Sequence, residues 1–180
     1  EIGTEADQLG FTHIRYEQTY NGVPIEFAEW IVHTKNNEIY SMNGKLIDKA
    51  PLSNESSLSK KAAFSAAKRY IGAKKYKWEV PTEEKHLKFE TGNPFATYYP
   101  APEMKYISKE IGVNSAELRL TYKFNIYAQD PLTRQEVFVD AANGSIVFSN
   151  NLIHTANTPG TAQTASSGTQ TIKVDSLASN

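Results

Sequence analysis

The sequence contains no cysteine among its 180 residues. This absence excludes disulfide bonds, thiol catalysis and cysteine-ligated zinc, and it leaves the redox compartment open. No apolar run approaches the roughly 20 residues that a helix needs to cross a bilayer. The formal net charge is only −1, so the overall charge gives no case for nucleic acid or an anionic membrane as the partner.

What the sequence does contain is typical of a folded globular protein. Hydrophobic residues make up 39% and charged residues 22%, a composition unlike that of disordered chains. At about 100–200 residues per domain, the length allows one ordinary domain or two small ones. The chain begins with Glu1 rather than Met, which indicates a processed or truncated form that has already lost any signal peptide.

Alternating polarity predicts an antiparallel meander near the start of the chain. Apolar and polar side chains alternate over residues 11–20, which is the period of a half-buried strand. The Asn-Gly pair at 21–22 predicts a hairpin turn, because both central residues of a type I′ turn need positive φ. A return strand over 23–34 and a third strand over 39–42, closed by the Asn-Gly pair at 43–44, complete the meander.

A helix is predicted after a linker-like segment. Residues 48–57 contain three Ser, one Asn and a proline, which is typical of a connection between modules. Either Ser57 or Ser59 is placed to cap a helix by accepting an unpaired backbone N–H. Gly72 fits the left-handed position that ends one. The helix is indicated by apolar residues at helical spacing, namely Leu58, Ala62, Ala66 and Tyr70.

The remaining pattern predicts more strands and a flexible end. Residues 81–102 carry four prolines and a glycine and are predicted to form a loop with one short strand at 86–90. The tail from 151 to 180 is rich in Thr, Ser and Ala, and residues 164–174 are placed to form a weak hairpin. The other predicted strands are 74–80, 116–128, 135–140 and 145–149.

These elements predict an α+β fold with antiparallel sheets, one main helix packed on the second sheet and a flexible C-terminal tail. We expect three parts. Residues 1–50 form a β module, residues 51–150 form an α+β domain, and residues 151–180 form a flexible junction.

A search for catalytic motifs finds little. The sequence has no HExxH, no GxGxxG, no Walker loop and no Gly-x-Ser-x-Gly, although a Ser-His-Asp triad stays open because its members lie far apart in a chain. Glu83, Glu84 and His86 are the only close acid–histidine group, and a metal site there is disfavoured because no second histidine is near. His13 and His33 fall on predicted strands, where cross-strand or surface pairing is the favoured interpretation.

Other charged residues have simple structural interpretations. Asp140 precedes a turn, where its carboxylate is expected to bond nearby backbone N–H groups. Glu26 and Glu29 have opposite strand parity, so they should not form an acid–base pair within one strand. The helix and its exit also carry a basic stretch. The favoured interpretation is a solvated helix face, and the alternative is a docking surface for an acidic partner. The residues of this stretch are Lys60, Lys61, Lys68, Arg69, Lys74, Lys75 and Lys77.

The run from His13 to Ile25 is similar to the signature of the fungalysin/thermolysin propeptide motif, called FTP. The residues that carry this resemblance are His13, Arg15, Tyr16, Gln18, Tyr20, Gly22 and Pro24. One departure is Phe27, which stands where the family often has glycine. A second segment, from Leu58 to Val147, resembles a PepSY-type propeptide domain through its opening helix and a closing run that includes Val139, Asp140 and Gly144. Residues 158–172 resemble the first strands of a thermolysin-like catalytic domain.

The resemblance implies the pro-region of an exported, thermolysin-like zinc metallopeptidase precursor. Such pro-regions act as intramolecular chaperones and inhibitors, and they are removed by proteolysis. The implied partner is the cognate catalytic domain, and zinc, with calcium, would belong to that absent domain, while this chain itself holds no cofactor. The residues expected at the processing junction or in the peptidase cleft are Leu152, Ile153, His154, Thr155 and Ala156. The alternative is a free-standing secreted inhibitor or envelope-binding module.

Overall fold

The computed structural model describes residues 1–47, 52–53, 56–108, 117–153, 158–164 and 168–174. Its helices are α1 (Lys60–Ile71) and α2 (Pro81–Thr91), with a short 3-10 turn at Lys77–Glu79. The strands of the described residues are β1 (Gly3–Ala6), β2 (Phe11–Tyr20), β3 (Val23–Lys35), β4 (Glu38–Gly44), β5 (Leu52–Ser53), β6 (Lys75–Tyr76), β7 (Glu103–Ser108), β8 (Leu118–Asp130), β9 (Leu132–Asp140), β10 (Ile146–Asn151), β11 (Thr158–Thr164) and β12 (Gly168–Val174).

The described strands form one large sheet and one separate hairpin. The main path of the large sheet runs β1-β2-β3-β7-β8-β9-β10, while β4 also pairs with β3, and β5 and β6 pair with β8. Most pairings are antiparallel, but β3 meets β7 in parallel where Ile25 lies opposite Tyr106. β11 and β12 pair with each other. The predicted α+β class is confirmed, and the division into three parts stays a prediction.

The core lies between one face of the central strands and α1. Alternate residues of β8 face this core, as the sequence pattern predicted, and Phe124 is only 1% exposed. Ala63 and Ala67 of α1 are fully buried against it, because their small side chains let the helix approach the sheet closely. The Phe64 ring lies 5.6 Å from that of Phe124. Burial of a side chain as large as phenylalanine contributes about 1.5–3 kcal/mol.

Capping residues set both ends of α1 as the sequence predicted. The Ser59 hydroxyl accepts the backbone N–H of Ala62 at 3.2 Å, which makes Ser59 rather than Ser57 the N-cap. Gly72 follows the last turn with φ +64. The buried face differs from the predicted spacing, since Ala62 is exposed and Tyr70 is 49% exposed. The helix residues buried against the sheet, Ala63 and Ala67, each lie one position after a predicted residue.

The sequence predicted a loop over 81–102 with a short strand at 86–90. This prediction is wrong for residues 81–91, which form α2. Pro81 occupies the first helical turn, Glu83 and Glu84 lie in that turn, and Gly92 ends the helix with φ +62. These are ordinary helix-boundary signals. The helix has no buried residue, so it leaves no apolar periodicity in the sequence, and this is why the pattern failed to predict it.

The predicted strand over 74–80 is also shorter than expected. Only Lys75 and Tyr76 pair with β8, and the chain then turns. The Glu79 carboxylate accepts the Tyr76 backbone N–H at 3.0 Å, and the Tyr76 and Trp78 rings stack with centroids 4.4 Å apart. Residues two positions apart in an extended strand are separated by about 6.6 Å, so the closer stacking of these rings accompanies the turn.

Left-handed residues shape the N-terminal hairpins. Asn21 and Gly22 have φ of +49° and +77°, which confirms the predicted turn. Gly44, however, does not close a hairpin. It pairs with Trp30 at the end of β4, and a Cβ atom there would lie 2.3 Å from the Glu29 carbonyl oxygen. The predicted second Asn-Gly turn is therefore wrong, and glycine is needed here for close backbone approach.

The end of the described chain contains a hairpin, although its strands begin earlier than predicted. β11 and β12 pair from Thr158 opposite Val174 to Thr164 opposite Gly168. Of the five junction residues, Leu152 and Ile153 are described, and the other three lie outside the described residues. No helix among the described residues has the length and apolar character needed to cross a bilayer.

Candidate functional site

A row of alternating charges crosses the sheet face that points away from α1. Lys123 of β8 lies 2.8 Å from Glu26 of β3 and 2.9 Å from Glu136 of β9. Lys105 of β7 pairs with Glu17 of β2 and lies 3.9 Å from Glu26. All five side chains are only 12–20% exposed. We call these five residues the charged seam, because they join the N-terminal strands to the central ones.

The seam holds its central lysine in the charged form. Burial acts to lower the pKa of Lys123, but hydrogen bonds and charge from Glu26 and Glu136 outweigh it and raise that pKa above its ordinary value. Partly buried ion pairs are costly to break, since removal of one partner leaves the other charge without compensation. The seam therefore fixes how β3 lies against β8.

Two residues of the propeptide-like signature reinforce the same junction. The Gln18 side-chain amide donates to the Ile47 carbonyl at 2.9 Å and accepts the Ile47 backbone N–H at 2.8 Å. The Tyr20 ring packs edge-on against Tyr106, with centroids 5.9 Å apart. Burial first, and then the neighbouring Tyr20, raise the pKa of the Tyr106 phenol. These signature side chains thus bind the N-terminal hairpin to the segment after β4 and to β7.

Other residues of the propeptide-like signature lie in cross-strand pairs between β2 and β3. Tyr16 is 40% exposed opposite Trp30, and Arg15 makes only a loose 4.0 Å pair with Glu29. His13 lies directly opposite His33, which confirms the cross-strand interpretation. Pro24 lies opposite Thr19 near the start of β3.

Asp140 has the local role that the sequence predicted. Its carboxylate is 2% exposed and accepts the backbone N–H groups of Ala142 and Asn143 at 2.8 and 3.2 Å. Arg119 donates to it at 3.3 Å. Gly144 then turns the chain with φ +78 into β10. Asp140 is a structural residue that shapes the turn before the last strand of the sheet.

That last strand leads directly to the expected processing junction. β10 is the end of the described sheet path, so its outer edge has no partner strand there. The Leu152 backbone N–H donates to the Arg134 carbonyl at 2.7 Å, and the Ile153 N–H donates to the Asn151 side chain at 3.2 Å. The chain is therefore held against the sheet up to residue 153.

A pocket of about 420 Å³ lies beside this exit, on the same side of the sheet as the charged seam. Its walls include Tyr98, Tyr127 and Arg134. The Arg134 guanidinium lies over the Tyr127 ring at 5.3 Å and bonds the Asn125 side chain at 3.0 Å. Among the described residues no carboxylate lies within ion-pair distance of Arg134, although Glu103, Lys123 and Glu136 also line the pocket.

The acid–histidine group in α2 does not converge on a metal. His86 lies 3.1 Å from Glu90, one helical turn away. Glu83 pairs with Lys77 at 2.8 Å, and Glu84 accepts the Tyr98 backbone N–H at 2.7 Å. Nowhere in the part of the chain that the structure describes do three histidine or carboxylate side chains gather closely enough to hold a metal ion.

The basic stretch is partly neutralised. Lys68 lies 3.8 Å from Glu79 and 4.7 Å above the Tyr76 ring, and Lys77 is held by Glu83. These contacts involve two of the seven basic residues, so the solvated helix face and the docking surface for an acidic partner both stay predictions.

Comparison with known proteins relates the chain to a family of proteases. Residues 2–46 match the model of the Fungalysin/Thermolysin Propeptide Motif. The chain is 28% identical over 179 residues to a bacillolysin of Bacillus amyloliquefaciens, covering 97% of this chain and 31% of that protein. It is 29% identical over 177 residues to a thermolysin of Alicyclobacillus acidocaldarius subsp. acidocaldarius, covering 96% of this chain and 29% of that protein.

The chain thus spans less than a third of the length of these curated relatives. Among solved structures, the C-terminal domain of Bacillus megaterium YpeB is similar with a TM-score of 0.42 and 12% identity, over 83% of this chain and 56% of that chain. The chain carries a fungalysin/thermolysin propeptide motif at its N-terminal end and is a homologue of the thermolysin-like proteases in a segment that includes this motif.

Proposed function

We propose that this chain is the propeptide of an exported thermolysin-like zinc metallopeptidase. It assists the folding of the peptidase and inhibits it until proteolysis removes the propeptide. The observation that carries this proposal is the extent of the match. Nearly the whole chain aligns with the two relatives, yet it covers only 29–31% of each, and the aligned part carries the propeptide motif.

The chain acts by binding rather than by bond cleavage. A domain that binds the native peptidase but not its unfolded state stabilises the native state by mass action, and the same contact blocks the active site. The sequence lacks the HExxH pair of histidines that places two imidazoles on one helix face for zinc. In this proposal zinc, with calcium, is held by the catalytic domain of the peptidase.

The processing junction follows the last anchored residues. Leu152 and Ile153 lie at the edge of the sheet, and His154, Thr155 and Ala156 continue the proposed site. A protease binds its substrate as an extended backbone, and the small polar residues that follow Ile153 in the sequence suit this requirement. The parts before the junction are an N-terminal unit over 1–50 and a PepSY-like unit over 51–150.

The peptidase docks on the sheet face that carries the pocket. A domain tethered at residue 153 has a high effective concentration next to Arg134, whose backbone already bonds Leu152. The pocket offers three tyrosine side chains and Arg134, which has no ion-pair partner in the described residues. Aromatic and arginine side chains of this kind dominate the energy of protein interfaces.

Inhibition in trans tests the proposal. The 180-residue chain is added to the peptidase of the same precursor at micromolar excess, and hydrolysis of a peptide substrate is followed. We expect inhibition that Arg134→Ser combined with Tyr127→Ser weakens at least tenfold, while Lys85→Ser, on exposed α2, leaves it unchanged. Absence of inhibition by the unmodified chain would contradict the inhibitor role. Equal inhibition by the unmodified chain, the double variant and Lys85→Ser would contradict the docking face but not the inhibitor role.

The coding sequence beyond residue 180 distinguishes the alternative. An HExxH with a downstream glutamate would establish a peptidase precursor. A stop codon would instead favour the free-standing secreted binding module.

A further inference from the structure

Two histidines of the N-terminal hairpin face each other at a distance that requires a proton between them. The register of β2 and β3 places His13 directly opposite His33. Their Nδ1 atoms are 2.6 Å apart, and the two rings meet edge to face at 76°. A neutral imidazole has one donor and one acceptor nitrogen. One ring must therefore donate its Nδ1–H while the other accepts it.

The outer nitrogens of the pair face oxygen atoms. His13 Nε2 lies 3.4 Å from the Asp7 carboxylate, and His33 Nε2 is hydrogen-bonded to the Asn43 side-chain oxygen. With a hydrogen on each outer nitrogen and one shared between the Nδ1 atoms, the pair holds three protons and one positive charge. If the Asn43 amide turns over, its NH₂ donates to His33 and the pair holds two protons.

In neither arrangement can both Nδ1 atoms carry a hydrogen. With both Nδ1 atoms protonated, two N–H groups on two cations would point at each other across 2.6 Å, so the contact must open. In the unfolded chain the two imidazoles take up protons independently near pH 6.5. Below that pH the unfolded state therefore binds one proton more than the closed pair. Because stability rises with pH wherever the unfolded state binds more protons, acid destabilises the closed pair.

The neighbouring charges favour the first proton and do not neutralise the second. The backbone N–H of Phe11, with further hydrogen bonds from Leu9 and His13, lowers the pKa of Asp7 despite some burial, so one carboxylate balances one imidazolium. Glu5 lies opposite His13 on β1 but makes no ion pair with it, and Ser41 lies opposite His33 on β4. Lys35 lies above the Phe11 ring at 4.5 Å.

The pair is open to solvent protons. His13 is 26% exposed on its side chain, and a shallow pocket of about 230 Å³, walled by Phe11 and Tyr40, opens onto both histidines. The Arg15–Glu29 pair, further along the same strands, is exposed and loose at 4.0 Å. Because the pocket opens onto both histidines, protons reach the pair without unfolding of the core.

We propose that His13 and His33 form an acid-sensitive latch between β2 and β3, which shares one proton near neutral pH and opens when a second proton binds the pair. The latch belongs to the hairpin alone and does not depend on the proposed function. Its consequence is a local loosening of the N-terminal hairpin in acid, while the central sheet stays folded.

Imidazole NMR of the 180-residue chain tests the latch directly, in buffer with EDTA so that no metal occupies the pair. We expect the ¹⁵N signals of His13 and His33 to titrate in two separated steps, the second accompanied by loss of the cross-strand contacts between β2 and β3. His86, exposed beside Glu90 on α2, serves as the internal reference because no second histidine faces it. If His13 and His33 titrate together with His86 and the contacts persist, the latch does not exist.

Variants provide a second measurement. Hydrogen exchange of the β2–β3 amides should speed up, by as much as about tenfold per pH unit after correction for intrinsic rates, on lowering the pH through the second protonation. His33→Gln, which keeps a hydrogen-bonding side chain but does not titrate, should abolish this acceleration. His86→Gln should retain it. Acceleration of the same size in His33→Gln would overturn the proposal.

Discussion

The N-terminal strands and the central strands of the same sheet are stabilised in different ways. Among β1 to β4, only Ile25 and Ala28 are buried, and every residue of β4 is exposed. In β8 and β9, by contrast, long runs are buried, including Phe124 and Phe138. The central strands therefore depend on apolar burial, whereas the N-terminal strands depend on turns, paired side chains and their contact with β7 and β8.

This difference explains which residues a propeptide-like signature contains. A strand that buries little cannot be specified by apolar alternation alone, so its position depends on groups with fixed geometry. Gln18 bonds the backbone of Ile47, Gly22 supplies a left-handed turn, and Tyr20 packs on Tyr106. In the central sheet, many apolar side chains of similar volume would serve nearly as well.

The largest effect should come from the buried core. Phe124→Ala removes a ring that is 1% exposed and leaves a cavity beside Phe64, so we expect the free energy of unfolding to fall by about 3–5 kcal/mol in urea denaturation. Phe89→Ala, at a ring that is 85% exposed, should change it by less than about 0.5 kcal/mol. Similar losses in the two variants would contradict the assignment of the core.

A smaller effect should come from the charged seam that joins the two regions. Lys123→Met leaves Glu136 without its cation and Glu26 with only the more distant Lys105 at 3.9 Å, and because the seam is still partly exposed we expect a loss of about 2–3 kcal/mol near pH 7. The carboxylates of the variant repel each other, so its folded state should bind protons more readily than its unfolded state. The loss should therefore shrink as the pH falls towards the unfolded-state glutamate pKa of about 4.3 and below it.

The same urea titrations check this prediction at several pH values. Lys85→Met is the matched control, because Lys85 is exposed on α2 and should show no comparable loss. A deficit in Lys123→Met that is independent of pH would mean that lost packing, rather than unpaired charge, is responsible.

The smallest effect should come from a strained position in the N-terminal strands. Phe27 has φ +63, a conformation that costs a non-glycine residue about 1–2 kcal/mol, and its ring is 45% exposed against Phe148. Phe27→Gly and Phe27→Ala both lose the ring, but only glycine relieves the backbone. We expect the glycine variant to be more stable than the alanine variant by about 1 kcal/mol. Equal stability would show that the backbone there relaxes freely.

Local signals in the sequence predicted much of the fold. The turn at Asn21 and Gly22, the capping by Ser59 and the alternation of β8 depend on neighbouring residues, and the structure confirms all three. The helix over 81–91 has no such signal in its apolar pattern, because none of its residues is buried. The prediction of a turn at Gly44 was wrong because the glycine serves a contact with Glu29, far earlier in the chain.

The site itself was less accessible to sequence reasoning. Glu17 and Lys105 are separated by 88 positions, and Glu26 and Lys123 by 97, so no spacing rule joins them. The parity argument that kept Glu26 and Glu29 apart is consistent with their separate partners, Lys123 and Arg15. The pairing of His13 with His33 did not follow from the predicted turn, because a regular register would place His13 opposite Trp30. The register shift between Glu17 and Thr19 brings His13 opposite His33 instead.

If the chain is cut at the proposed junction, the hydrogen bond from the Leu152 N–H to the Arg134 carbonyl also limits the distance between the protease and the sheet. Four residues separate Ile153 from Thr158, the first residue of the following hairpin, and an extended chain advances at most about 3.6 Å per residue. The Cα atoms of Ile153 and Thr158 are thus no more than about 18 Å apart. A cleft that cuts between these residues must touch the rim of the sheet, or β10 must first release its last residues. The timing of maturation would then depend on how tightly one edge strand is held.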